Sequence, residues 1–125
     1  MIWKPNVTVA AVVQRDGKFL LVEEETSAGL AFNQPAGHLE EGEALIDAVV
    51  REVLEETAYH FKPTHLVGVY NWRRPDGEVT YLRFAFAGDL RGCHRRLAGL
   101  LRNPARPRPF EHDDLGKRPL VIRHG

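Results

Sequence analysis

The sequence predicts one small α/β domain. Three observations carry that expectation: two strand-like runs joined by Asp16-Gly17, a helix-patterned segment closing on Glu55-Glu56-Thr57, and a second strand–turn–strand unit around Pro75-Asp76-Gly77. Two strands before a helix and two after it, with mixed connections, place a helix against a sheet. A chain of 125 residues with 43% hydrophobic content has enough apolar surface for one core.

The first run, Val7 to Val13, is β-branched and apolar, as a buried strand requires. Asp16-Gly17 is a hairpin turn signal, and Phe19-Leu20-Leu21-Val22 reads as the returning strand, closed by Glu23, Glu24 and Glu25. Residues 26–31 read as a small-residue loop. In the next segment, Phe32 to Gly37, Pro35 lacks the amide that a central ladder position needs. A helix is predicted from near Glu43 to near Thr57, with Ile46, Val50 and Val53 on its core side. His60 to Pro63 reads as the connection out of it. Leu66 to Trp72 and Val79 to Ala87 then read as paired strands across the Pro75-Asp76-Gly77 turn.

Charge divides the chain near Gly88. Residues 1–90 hold 8 Lys and Arg against 14 Asp and Glu, a net −6; residues 91–125 hold 9 against 3, a net +6. The expected organisation is a core over residues 1–90 and an atypical basic, Arg- and Pro-rich segment over residues 91–125, both within one domain. Pro104, Pro107 and Pro109 exclude a regular helix or central strand around them, and only Cys93 to Leu101 is patterned for a short helix. No apolar run reaches about 18 residues, so no membrane-spanning helix is expected. The N-terminus lacks the shape of a secretory signal, and the single cysteine, Cys93, suits a reducing cytoplasm, where the chain is expected to reside.

The chemistry concentrates between Gly37 and Glu56. On a helix, Glu52, Glu55 and Glu56 fall within about a third of the circumference. Carboxylates crowded on one face repel each other, and a hard divalent cation resolves the conflict because oxygen atoms are its preferred ligands. Mg²⁺, with Mn²⁺ as a substitute, also binds substrate phosphates, which points to phosphoryl or pyrophosphate chemistry. The same glutamates would equally suit a plain solvated face, since Glu is a good helix former.

The spacing Gly-x5-Glu-x7-Arg-Glu-hydrophobic-x-Glu-Glu, at Gly37, Glu43, Arg51, Glu52, Val53, Glu55 and Glu56, resembles the signature box of the Nudix hydrolases. That box normally ends in Gly and an aliphatic residue, where this chain has Ala58 and Tyr59, so a slightly altered helix exit is expected. Asn33 to Glu40, Val7 to Ala10 and Tyr81 to Ala87 resemble segments of the family's NudJ phosphatase group, and the similarity covers residues 4–88. The resemblance implies a Nudix-type α/β/α sandwich, with a mixed sheet held between helices. It also implies Mg²⁺-dependent hydrolysis of small-molecule diphosphates: nucleoside di- and triphosphates, thiamine pyrophosphate or its hydroxymethylpyrimidine pyrophosphate precursor. The family's later strand and second helix have no convincing counterpart here, and only Arg118 to Arg123 is similar to a late family segment. Divergence, or a changed reading frame, over residues 91–112 would account for that.

On this resemblance Glu52, Glu55 and Glu56 are the expected metal ligands, the Gly37 carbonyl is a further one, and Arg51 completes the catalytic set. The ions would neutralise phosphate charge and orient a water for in-line attack, with Glu52 handling its proton. Glu111, Asp113 and Asp114 are alternative bases. Arg51 is expected to orient Glu43 or a metal-binding glutamate, and His38 to hydrogen-bond locally. Phe32, Trp72 and Tyr81 are candidates to stack on a planar base, Asn33 and Gln34 to read its edge, and Arg73, Arg74 and Arg83 to meet phosphate. Strand aromatics equally serve a core, and turn arginines a solvated surface. Two other classes fit parts of the sequence: a Nudix-fold metal-binding domain without catalysis, and nucleic-acid binding through the basic tail. The second is disfavoured, since no aromatic residue interleaves the arginines from Arg91 to Arg108. The expected partner is a small-molecule diphosphate, with no membrane or nucleic acid, bound by a monomer or homodimer.

Overall fold

A strand covered on both faces reads as a continuous apolar run, and Val7 to Val12 forms such a strand. The computed structural model describes residues 1–27, 29–93 and 120–123. Along the chain the elements are β1 (Asn6–Val12), β2 (Gln14–Arg15), β3 (Lys18–Thr26), β4 (Gly29–Asn33), β5 (Ala36–His38), α1 (Leu45–Thr57), β6 (Tyr59–Arg73), β7 (Thr80–Cys93) and β8 (Leu120–Arg123). β1 lies between β5, antiparallel, and β7, parallel; β6 closes the sheet in the order β5-β1-β7-β6. A second sheet runs β2-β3-β4, with β8 parallel to β3. The architecture is the expected α/β fold with a mixed sheet.

The helix fastens these layers. Ala48, Val49 and Val53 of α1 are fully buried and share one cluster with Val9, Ala11, Leu20, Phe61, Phe86 and Leu90. Each fully buried Val or Leu contributes roughly 1.5–3 kcal/mol. Ile46 is a correction to the expected core face: it is 54% exposed and, with Leu45, Leu66, Phe84 and Phe86, lines a surface groove. Ile46 sits in the first turn of α1, which starts two residues later than the pattern predicts, and stands outside the core cluster that Val49 and Val53 join. Gly42 turns at φ 78°, Ala44 is extended, and Glu43 folds back outside the helix, its carboxylate accepting the Glu40 amide at 3.1 Å.

Other departures arise from pairing. The segment predicted as a loop over residues 26–31 is mostly strand, because Gly29 to Asn33 pairs antiparallel with Val22 to Thr26. All of β4 is exposed, so it has no alternating pattern to reveal it. His60 to Pro63, predicted as a connection, belongs to β6. Proline is tolerated there because β6 is an edge strand with register shifts beside Pro63. β7 likewise continues past Ala87 to Cys93. The Pro75-Asp76-Gly77 turn forms as predicted, with Gly77 at φ 76° donating its amide to Arg74 O at 2.8 Å. The proposed short helix over Cys93 to Leu101, the divergent stretch and the bases Glu111, Asp113 and Asp114 lie outside the described residues beyond Cys93.

The helix exit corrects a further expectation. Ala58 keeps the left-handed geometry (φ 62°, ψ 13°), and its amide reaches Leu54 O at 2.9 Å. Thr57 Oγ1 donates to Val53 O at 2.7 Å and accepts the Tyr59 amide at 3.1 Å, which secures the turn. The geometry is therefore retained without glycine, at a steric cost to the alanine Cβ. Ala58→Gly should raise stability by about 1 kcal/mol, read as a rise in Tm of roughly 3–6 °C.

Candidate active site

Arg51 points back from α1 towards the loop before the helix. Its Nε and Nη2 donate to the two carboxylate oxygens of Glu43 at 2.7 and 3.0 Å, a bidentate pair. Nη2 also donates to the His38 carbonyl at 3.0 Å, while Nη1 donates to Glu52 at 2.8 Å and Glu55 at 3.3 Å. One guanidinium thus ties β5, the following loop and two helical glutamates together. The bond from Arg51 is the first cause that holds the Glu43 carboxyl below its usual range, and the Glu43 bond in turn raises Arg51 against the opposing effect of burial. Glu43 and Arg51 therefore both stay ionised at neutral pH.

Gly37 makes a second tie. A Cβ built on it would overlap the Glu52 carboxylate, so the helix approaches β5 closely only because residue 37 has no side chain. Glu52 and Glu43 are largely buried, at 13% and 14% side-chain exposure, whereas Glu55 is 53% exposed. Glu56 is half-buried, and its charge acts on Arg83. Among the described residues no three His, Cys, Asp or Glu side chains converge as a ligand set, and Arg51 Nη1 engages both Glu52 and Glu55. The donor chemistry nevertheless fits a hard divalent cation: three carboxylates lie on one turn-and-a-half of helix, beside the open Cα of Gly37.

Next to this face lies a cleft of about 450 Å³, lined by Thr8, Asn33, Ala36, Gly37, His38, Tyr70, Trp72, Tyr81 and Arg83. Strand register assembles it. Thr8 pairs with both His38 and Arg83, Arg83 with Tyr70, and Tyr81 with Trp72. The Trp72 and Tyr81 rings stack with centroids 6.0 Å apart, and His38 meets Tyr81 at 6.3 Å. Arg83 is half-buried; desolvation lowers its pKa, while Glu56 opposes the shift.

Of the candidate substrate contacts, Asn33, Trp72 and Arg83 line the cleft, as do Gly37, His38 and Tyr81. Gln34 stands outside the lining and accepts a bond from Arg83. Phe32 lies exposed on β4, also outside it. Arg73 donates to the Gly77 carbonyl at 2.8 Å and Arg74 to Asp76 at 2.6 Å, so both serve the turn. Thr8 and Tyr70 are cleft residues that sequence reasoning missed. The alternation of Tyr70 and Trp72 is a signal for the second, once the strand is paired with Tyr81 and Arg83.

A mixed sheet that carries an arginine-clamped acidic helix beside an aromatic cleft is the organisation expected of a Nudix fold, and the NUDIX domain model matches residues 3–110. The chain belongs to the NUDIX domain family. It is 47% identical over 89 residues to the phosphatase NudJ of Escherichia coli K12, an alignment covering 71% of this chain and 58% of that relative. It thus spans less than two thirds of the length of that curated relative. Among solved structures, a Nudix hydrolase from Nitrosomonas europaea is 53% identical with a TM-score of 0.68, covering 72% of this chain and 62% of the other. The Escherichia coli ORF135 protein is 28% identical with a TM-score of 0.63, covering 72% and 65%.

Proposed function

We propose that this chain is a Mg²⁺-dependent hydrolase of diphosphate linkages in small molecules, acting in the cytoplasm as a monomer or homodimer. The observation that carries the reading is the position of Gly37. It lines the aromatic cleft and, at the same time, packs against the Glu52 carboxylate. A ligand seated in the cleft would therefore lie beside the acidic face of α1. The likeness to a phosphatase and a Nudix hydrolase supports the same class.

In this reading Glu52, Glu55 and Glu56 hold the cation, with the Gly37 carbonyl as a further ligand. Bound there, a divalent cation supplies charge neutralisation for the phosphate oxygens. Glu52 accepts the proton of the attacking water, because its carboxylate is fixed by Arg51 and shielded from solvent. Arg51 positions Glu43 and Glu52 and keeps Glu43 charged. Trp72 and Tyr81 receive a planar ring, and Arg83 meets an anionic group. Nucleoside di- and triphosphates, thiamine pyrophosphate and hydroxymethylpyrimidine pyrophosphate all combine such a ring with a diphosphate.

The test is release of phosphate, pyrophosphate or a phosphate monoester from ADP, ATP, thiamine pyrophosphate and a sugar nucleotide, with Mg²⁺ and then with EDTA. Release from at least one compound, abolished by EDTA and restored by Mg²⁺, is the expected result. A folded chain inert on every compound would favour a metal-binding domain without catalysis.

A further inference from the structure

Gln34 and Arg83 are 49 residues apart in sequence, yet Gln34 Oε1 accepts a hydrogen bond from Arg83 Nη2 at 3.1 Å. Arg83 lines the cleft and Gln34 does not. Arg83 is also the only Lys or Arg among the nine lining residues, and none of those residues is acidic. The cleft therefore favours an anionic ligand, while its row of Trp72, Tyr81 and His38 rings favours a planar one.

A long guanidinium needs a reason to face the cleft. The neutral amide of Gln34 holds it by a hydrogen bond, while the charge of Glu56 on α1 acts on it through space. A neutral acceptor holds the guanidinium without cancelling its charge; a carboxylate at position 34 would hold it and cancel it. We infer that Gln34 is a positioning residue that acts through Arg83, aiming the guanidinium at the anionic end of a planar ligand rather than reading the ligand's ring. This rests on the proposed use of the cleft as the substrate site, and it changes what Gln34 does there.

Trp72 supplies the readout. The chain has two tryptophans, so a Trp3→Phe background leaves Trp72 as the reporter. Quenching by ADP, in EDTA to prevent turnover, reports an anionic planar ligand; quenching by adenosine reports the ring alone. Gln34→Met should weaken ADP binding about tenfold, as expected for loss of a hydrogen bond to a charged group, and leave adenosine binding unchanged. Arg83→Met should weaken ADP at least as much. The Gln34→Met/Arg83→Met double variant should then bind ADP no more weakly than Arg83→Met alone, because the first residue acts only through the second. Losses that multiply in the double variant, or equal losses for ADP and adenosine, would overturn the assignment. If the starting protein binds neither compound, the reading of the cleft falls together with the role given to Gln34.

Discussion

Replacing Glu52 by Gln is expected to lower phosphate release by roughly 10³-fold, the scale of a lost general base. The fold should survive the change. Gln has nearly the same volume, and its carbonyl can still accept the Arg51 Nη1 bond now made at 2.8 Å to Glu52. What disappears is a negative charge and a proton acceptor at a side chain only 13% exposed. Thermal unfolding should therefore show a small shift beside a large loss in kcat. A loss confined to KM would mean that Glu52 serves ligand binding alone, and an unchanged rate would remove it from the mechanism.

Gly37→Ala should cost about 100-fold in activity through displacement of that same carboxylate. The added methyl overlaps the Glu52 carboxylate, so either the side chain leaves Arg51 or β5 moves away from α1. Crowding of this kind costs about 1–3 kcal/mol in stability as well. A stability cycle isolates the cause without reference to turnover. In a Glu52→Ala background the methyl has room, so the destabilisation by Gly37→Ala should largely vanish. If it persists undiminished, the damage comes from the backbone of β5 and not from the Glu52 contact.

The two substitutions probe a site whose parts differed in how plainly the sequence announced them. Glu52, Glu55, Glu56 and Arg51 were legible because their spacing is local and a helix converts spacing directly into a shared face. Arg51 reaching Glu43, which lies before the helix, was an expectation of the family resemblance, and the structure adds the His38 carbonyl as a further acceptor. The cleft was legible only in part. Trp72 and Arg83 stood out as residue types, but nothing local distinguishes them from Arg73, whose guanidinium is engaged by the Gly77 carbonyl. Tyr70 reaches the cleft through a strand whose register shifts between Leu66 and Gly68, and such shifts leave no mark in the residue pattern.

By itself the sequence determined the buried strand β1, the turns at Gly17 and Gly77, the helix and the acidic face it presents. Each depends on residues only a few positions apart, whose backbone preferences and periodicity act locally. Tertiary structure alone decided that Gly29 to Asn33 pairs as a strand, that Ile46 faces outward and that Ala58 holds a left-handed turn. It also decided that Gln34 meets Arg83 across the fold. These outcomes depend on which strands pair and on the register they adopt, and that is fixed by contacts between distant segments once the core closes.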